Sequence, residues 1–511
     1  MRALSWPSRL AFAVACATLL AGAWAFRRHV VDDTYISLRY ADHLASGLGY
    51  VFNPGENVEG ASNLMWVLVL AAARALGANP LVASQVLGAL AALATLFFQL
   101  GLSARLSGGR PSAIGPWLTA LSAPFALWAV AGLETGAYAC ALTAATLAAA
   151  HDLAAPRAHW RVAILFLIVA LLRPEGAMFA GPYLALRLGL AIRGGSPWRD
   201  AAVPITIFIG GIAAVTLWRW LTFHALVPNT VLAKVFFASP RPENLGLLYL
   251  WRWCATGAGV AVPLALVTLS GRAAGAGGVT ALLWAAIALQ MAFVVAVGGD
   301  WMPAFRFVVP VLPLLHVLAG QGATDLWQRL RPRLAVPAVA PVAATLAAAL
   351  TLAVHTYAVR RQLQEVEPYV VGLARGHASL GRWLKDAAPP GARLAIADCG
   401  AVPYFSELPT LDLLGLTDSF VARNRHRAVA HHVVHELRPE LVVLALRYVE
   451  GPPALFRGFF KTDGAVVADT AFTRGWLLAG VWPFMPSSYN LYVFARRGVR
   501  LRAPPPGALG P

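Results

Sequence analysis

Apolar residues form long runs up to about residue 360 and shorter, alternating ones beyond it. Runs lie near 9–26, 81–103, 112–131, 134–151, 160–173, 175–192, 200–220, 246–269, 277–297, 304–320 and 336–356. Each is of, or close to, the length a helix needs, since about 20 residues cross a ~30 Å hydrocarbon core. About eleven transmembrane helices are therefore expected. The stretch 160–192 is broken by Arg173-Pro174-Glu175, where proline removes a helix hydrogen bond. The segment 62–76, NLMWVLVLAAARALG, is apolar but short. If it crossed, the arginines of 103–112 would face outward. If it does not cross, the basic links 103–112, 151–161, 193–199 and 321–335 all fall inside, as the distribution of Lys and Arg in membrane proteins requires. It is expected to lie along the outer face as a juxtamembrane helix.

Beyond residue 360 the pattern changes. A helical period over 363–386 precedes ARLAIADCG (392–400), a strand ending in a Gly turn. VPYFSEL then predicts a short helix and TLDLLGLTD a second strand, with PELVVLALRYV (439–449) and SYNLYVFARRG (488–498) as further strands. The expected organisation is an α-helical polytopic membrane domain over 1–358, an α/β domain on the outer side over 359–500, and a Pro-rich disordered tail over 501–511. No internal repeat is visible.

Composition agrees with this pattern. The chain has 511 residues, 58% hydrophobic and 13% charged, against about 25% charged in soluble domains. The net charge of +17 lies largely in the short links between apolar runs. No basic stretch is interleaved with aromatics, so nucleic acid is not an expected partner. Four cysteines make no disulfide framework. The first 25 residues read as an uncleaved signal anchor, although Ala23 and Ala25 offer a small-residue cleavage pattern. In both cases the next residues, Asp32 and Asp33, emerge on the outer side.

That topology gathers ionisable residues at one membrane face, where they are costly and therefore candidates for function. They lie in loops 27–61, 173–175, 221–245 and 298–306 and in the turn Gly132-Leu133-Glu134-Thr135. After Asp33, TYISLRYADHLASG has helical spacing, with Ile36, Tyr40 and Leu44 as an apolar stripe and Gly47 ending it. An amphipathic helix on the membrane is expected. Capping its start accounts for one carboxylate, not two. Neighbouring helix positions point about 100° apart, so the two aspartates are expected to have different tasks. The histidines His426, His431, His432 and His435 lack a second ligand cluster and read as a solvated helix face rather than a zinc site. No P-loop is present.

The run DDTYISLRYADHLASGLGYVFNPGENVEGASNLMW resembles the first outer loop of bacterial GT-C membrane glycosyltransferases. It is most similar to the branch containing the mycobacterial terminal β-(1→2) arabinofuranosyltransferase. GLETG (132–136), LLRPEG (171–176), LVPNTVLAK (226–234), GGDWMPAFRFVVP (298–310) and CGAVPYFSELPTLDLLGLTD (399–418) match in the same order. Ser62-Asn63 departs from the branch, where an aromatic with Thr-Asn is usual, and puts acceptor contacts there in doubt. The resemblance implies a GT-C fold, a polyprenyl-phosphate sugar donor and inverting transfer on the periplasmic side of the bacterial inner membrane. It further implies the first-loop aspartate as base, Asp32 with Asp33 as helper.

A lipid-phosphate leaving group calls for cations, so Arg39, Arg173, Lys234 and Arg306 are expected to bind phosphate, with Asn229 donating to a phosphate or sugar oxygen. Glu59, Glu134, Glu175 and Asp300 are expected to bind sugar hydroxyls or a divalent cation, Mg²⁺ or Ca²⁺. Glu175 serves equally well as a local partner of Arg173. Asn63 joins the substrate-binding set. Trp301 either stacks on a sugar or belongs to the interfacial aromatic belt. The expected function is transfer of a sugar, arabinofuranose by branch, to a cell-envelope glycan, lipid or protein. The competing expectations are a transporter or flippase for a lipid-linked sugar, which the missing repeat disfavours, and a non-catalytic envelope assembly protein.

Overall fold

The computed structural model describes residues 6–154, 159–236, 245–257, 259–270, 277–330, 340–449, 455–485 and 488–505. Parts of the expected loop 221–245, of the basic link 321–335, of the run 336–356 and of the tail lie outside the described residues. By packing, the chain forms two compact units. The first comprises Met1–His29, Ser84–Ala214 and Pro240–Glu365; the second comprises Val30–Ala83, Val215–Ser239 and Val366–Pro511. The segments Val30–Ala83 and Val215–Ser239 group with the residues from Val366 onward.

The first unit is helical. Among the described residues, four helices are long and apolar enough to cross a membrane: Ser8–Phe26, Pro80–Leu106, Trp198–Phe223 and Gly277–Val297. The number is six if two bent helix pairs each count as one span. Fewer runs qualify as single helices than hydropathy suggests, because several are broken. The run 112–131 splits into Ile114–Ala120 and Ala123–Val130. Ala123–Val130 then turns through 111° into Thr135–Ala154, at Gly132, whose φ of +89° an L side chain rarely adopts. Arg173-Pro174-Glu175 breaks the next run as expected, between His159–Leu172 and a 3₁₀ turn over Pro174–Phe179. Small residues let these helices close on each other, which is how helices associate where burial from lipid gives no drive. A Cβ on Gly88 would overlap the Ala129 carbonyl, and one on Gly322 the Leu264 carbonyl. The protein is a multi-pass membrane protein.

The second unit holds a six-stranded sheet. Its strands are β1 (Leu394–Ile396), β2 (Thr410–Asp412), β3 (Leu441–Val449), β4 (Leu455–Gly458), β5 (Trp476–Met485) and β6 (Tyr489–Arg496). The order is β2-β1-β3-β6-β5, with β4 also paired to β3. β1 runs parallel to β2 and β3, while β3–β6, β3–β4 and β5–β6 are antiparallel. The continuous run LVVLAL in β3 is explained by burial on both faces. Val442, Leu444 and Leu446 enter one apolar cluster. Leu441, Val443 and Ala445 enter another.

Two helices from the early sequence belong to this unit, Asp32–Ala45 and Leu64–Ala75, and they pack together. The second has 12 residues, a length of about 18 Å at 1.5 Å per residue, which is short of a crossing. The first differs from the expected surface helix. Thr34 to Ala41 are buried all round, including Arg39. Neither aspartate caps it: its N-cap is Val31, with no side-chain cap.

Candidate functional site

The two carboxylates at the start of the Asp32–Ala45 helix part company. Asp32 is 9% exposed. Its Oδ2 accepts the Gly400 N–H at 2.9 Å and its Oδ1 the Ala401 N–H at 2.7 Å. These amides open the helix Ala401–Ser406, just past the carboxyl end of β1. Asp32 therefore caps a helix 369 positions away in sequence instead of its own. Gly400 is required there, because a Cβ would overlap the Asp32 backbone carbonyl and carboxylate. The Asp32 N–H donates to the Tyr369 hydroxyl at 3.0 Å.

Asp33 turns the other way. Its side chain is 24% exposed, and its Oδ2 lies 3.8 Å from Nζ of Lys234, itself 50% exposed. This pair presents one accessible carboxylate and one accessible ammonium side by side.

Behind Asp32 lies a network with no sequence motif. His377 Nε2 is 3.1 Å from Asp398 Oδ2, and the Tyr489 hydroxyl donates to the same carboxylate. Burial pushes the Asp32 carboxyl up to about 7. The His377 charge and the Ala401 N–H oppose this rise, and the Asp398 and Asp33 charges add to it. Burial lowers His377, but Asp398, by hydrogen bond and charge, and then Asp32 outweigh it and leave the imidazole raised. Both groups thus bind protons more tightly folded than unfolded. Their contribution to stability is complete below the ordinary values, 3.8 for Asp32, and is lost as pH rises through the folded values. We expect the thermal unfolding midpoint in detergent to fall as pH is raised from about 4 to about 8, less steeply in Asp32→Asn. An equally steep fall in that variant would remove Asp32 from the account.

Other sequence candidates in this unit are engaged by the fold. Arg39 donates from Nε to the Phe52 carbonyl at 2.8 Å, from Nη1 to that of Pro403 at 2.5 Å, and from Nη2 to that of Leu408 at 2.9 Å. It acts as a structural tie. Asn229 Nδ2 donates to the carbonyls of Gly415, Leu416 and Asp418, at 2.7, 3.2 and 3.1 Å, holding that loop. Asn63 bonds Ser37. Glu59 is bound by both Nε and Nη2 of Arg219, at 2.7 and 3.0 Å. The sequence reading missed Arg219, since it lies inside an apolar run.

The remaining candidates belong to the first unit, where Arg173 and Arg306 both lie against Phe307. Arg173 donates to Glu134 at 2.6 Å and to Glu175. Arg306 donates to Asp300 at 2.7 Å. The two guanidiniums lie 5.5 and 5.1 Å from the Phe307 ring centre. Trp301 is 67% exposed. The acids expected to hold Mg²⁺ or Ca²⁺ are thus each paired with arginine: Glu59, Glu134, Glu175 and Asp300. Among the described residues no three His, Cys, Asp or Glu side chains are grouped to hold a metal ion. The C-terminal histidines pair with single carboxylates, His432 with Glu436 and His435 with Asp469, and His431 is exposed.

Residues 359–499 match a family described as a domain of unknown function (DUF8728). No curated protein matches the chain in sequence. Several solved structures are similar in fold. ArnT from Cupriavidus metallidurans in the apo state superposes with a TM-score of 0.53 at 15% identity, over 86% of this chain and 95% of that one. ArnT bound to undecaprenyl phosphate gives 0.52 at 14%, over 86% and 96%. The archaeal oligosaccharyltransferase AglB from Archaeoglobus fulgidus, in complex with an inhibitory peptide and a dolichol-phosphate, gives 0.53 at 12%, over 89% and 74%. At such identities the likeness is one of fold: the chain shares the fold of ArnT and AglB.

Proposed function

We propose that this protein is an inverting GT-C glycosyltransferase of the bacterial inner membrane, with about eleven crossings. It takes a sugar from a polyprenyl-phosphate donor and transfers it on the periplasmic side to a hydroxyl of a cell-envelope glycan, lipid or protein. The observation that carries this reading is the Asp33–Lys234 pair: an accessible carboxylate beside an accessible ammonium, in a fold whose relatives were solved with undecaprenyl phosphate and dolichol-phosphate.

Asp33 is the base in this proposal and Asp32 is not, because both Asp32 oxygens already accept backbone N–H groups. A base must reach the proton it takes. When the donor binds, Lys234 turns from Asp33 to the phosphate, and Asp33 accepts the proton of the acceptor hydroxyl. The new glycosidic C–O bond forms as the anomeric C–O bond to phosphate breaks on the opposite face, and polyprenyl phosphate leaves. The likeness of the outer-loop motifs to the terminal β-(1→2) arabinofuranosyltransferase branch supports arabinofuranose as the sugar.

The test is transfer by purified full-length protein in detergent, given radiolabelled polyprenyl-phosphate arabinofuranose, other pentose or hexose donors, and envelope acceptors. A new glycosidic bond with release of polyprenyl phosphate is expected. Movement of the lipid-linked sugar across vesicles without a new bond would establish a transporter instead.

A further inference from the structure

Asp32 and Arg39 are seven residues apart, two turns of one helix and hence one face. Both reach the same short segment of the second unit. Asp32 takes the Gly400 and Ala401 amides at the start of the Ala401–Ser406 helix. Arg39 takes the Pro403 and Leu408 carbonyls at its other end. The acid meets the amide end and the base meets the carbonyl end, the arrangement a helix dipole favours. Asn53 extends the tie by accepting the Thr410 N–H at 3.0 Å and donating to the Thr410 carbonyl at 2.8 Å. The N-terminus of the base-bearing helix is thereby clasped to the loop after β1, the region of an α/β sheet where ligands ordinarily bind. Here the protein's own carboxylate occupies the amides.

We propose that Asp32 is a positioning residue: seated on Gly400 and Ala401, it fixes the helix start from which Asp33 projects toward Lys234. This rests on the assignment of Asp33 as base. It accounts for an adjacent acidic pair, since neighbouring helix positions point about 100° apart and the two carboxylates take different partners. A displacement of about 1 Å at a reacting group can cost about 10²-fold in rate, so a loosened clasp lowers turnover with little effect on donor binding.

The experiment uses the full-length protein in detergent, as wild type, Asp32→Asn, Asp32→Ala and Asp33→Asn. Hydrogen–deuterium exchange is followed over 32–45 and 398–408, alongside kcat and KM for transfer. Asn keeps one acceptor for the two amides, and Ala keeps none. Exchange in both segments should rise in the order wild type, Asn, Ala, and stay at the wild-type level in Asp33→Asn. Transfer by Asp32→Asn should fall about 10- to 100-fold in kcat, with KM for the donor within about 2-fold. Unchanged exchange in Asp32→Ala would overturn the proposal. So would an inactive Asp32→Asn beside an active Asp33→Asn, which would make Asp32 the base. If wild type transfers no sugar, the functional reading fails, while the exchange measurements still decide the clasp.

Discussion

Asp33→Asn is expected to lower transfer by about 10²–10⁴-fold, the usual contribution of a positioned general base, while leaving the unfolding midpoint close to that of wild type. The two halves of this expectation have separate causes. The Asp33 side chain has an ammonium at 3.8 Å, a length at the outer limit of an ion pair, and the ammonium is half exposed. Exposed pairs of this kind contribute about 0–1 kcal/mol, so its loss barely touches stability. Asn keeps the size of the side chain and removes its ability to accept a proton at neutral pH. Initial rates of sugar transfer for the purified variant decide the point. Transfer at the wild-type rate would remove Asp33 from the chemistry. Asp32 offers the opposite contrast: a buried carboxylate with two backbone donors, whose replacement acts on structure first.

The largest effect on stability is expected at Arg219→Ala, with a loss of about 3–5 kcal/mol, the usual cost of removing one partner from a buried ion pair. Glu59 is 2% exposed and takes both its hydrogen bonds from the Arg219 guanidinium. Removing the guanidinium leaves a buried carboxylate. Burial already raises the Glu59 pKa, and the Arg219 hydrogen bond and charge are what oppose it. Without arginine only the raising influence remains. A group whose folded pKa is raised contributes stability below its unfolded pKa and loses it as pH rises through the folded value. The deficit of Arg219→Ala is therefore smallest in acid, where Glu59 is protonated, and grows toward neutral pH. Replacing both residues by leucine should recover most of the loss, because a buried pair and its apolar substitute are often nearly equivalent. Unfolding midpoints of the two single variants and the double variant, measured across pH, check this. Equal losses in the single and double variants would show that the pair is not the cause.

Much of the fold was legible in the chain. The run 277–297 is a helix with those bounds, Gly277–Val297, because apolar length alone specifies it. LVVLAL predicted a strand because β-branched residues in a short continuous run suit a sheet buried on both faces. The strand β5, Trp476–Met485, was not foreseen. It contains Pro483 and register shifts at Leu478/Gly480 and Pro483/Met485, and such irregularities erase the alternation that marks a strand. Arg219 was hidden for a related reason, since one arginine inside LWRWL does not stop a run from reading as apolar.

The site was legible only as a set of residue types. Local pattern identified Asp32, Asp33 and Lys234 as ionisable residues beside apolar runs, and it separated Glu134, Arg173, Glu175, Asp300 and Arg306 from the bulk charge. Helix geometry alone required the two aspartates to diverge. Which one turned inward was decided by Gly400 and Ala401, whose amides lie 368 and 369 positions away. The same holds for Arg39 and Asn229, which read as free cation and free donor until carbonyls from 403 to 418 took up their hydrogen bonds. Hydropathy and periodicity are local, so the sequence by itself determined long apolar helices such as Gly277–Val297, most of the sheet and the list of candidate groups. Hydrogen bonding between distant segments is not local, so only the tertiary structure decided which carboxylate is tied down and which stands open beside a lysine.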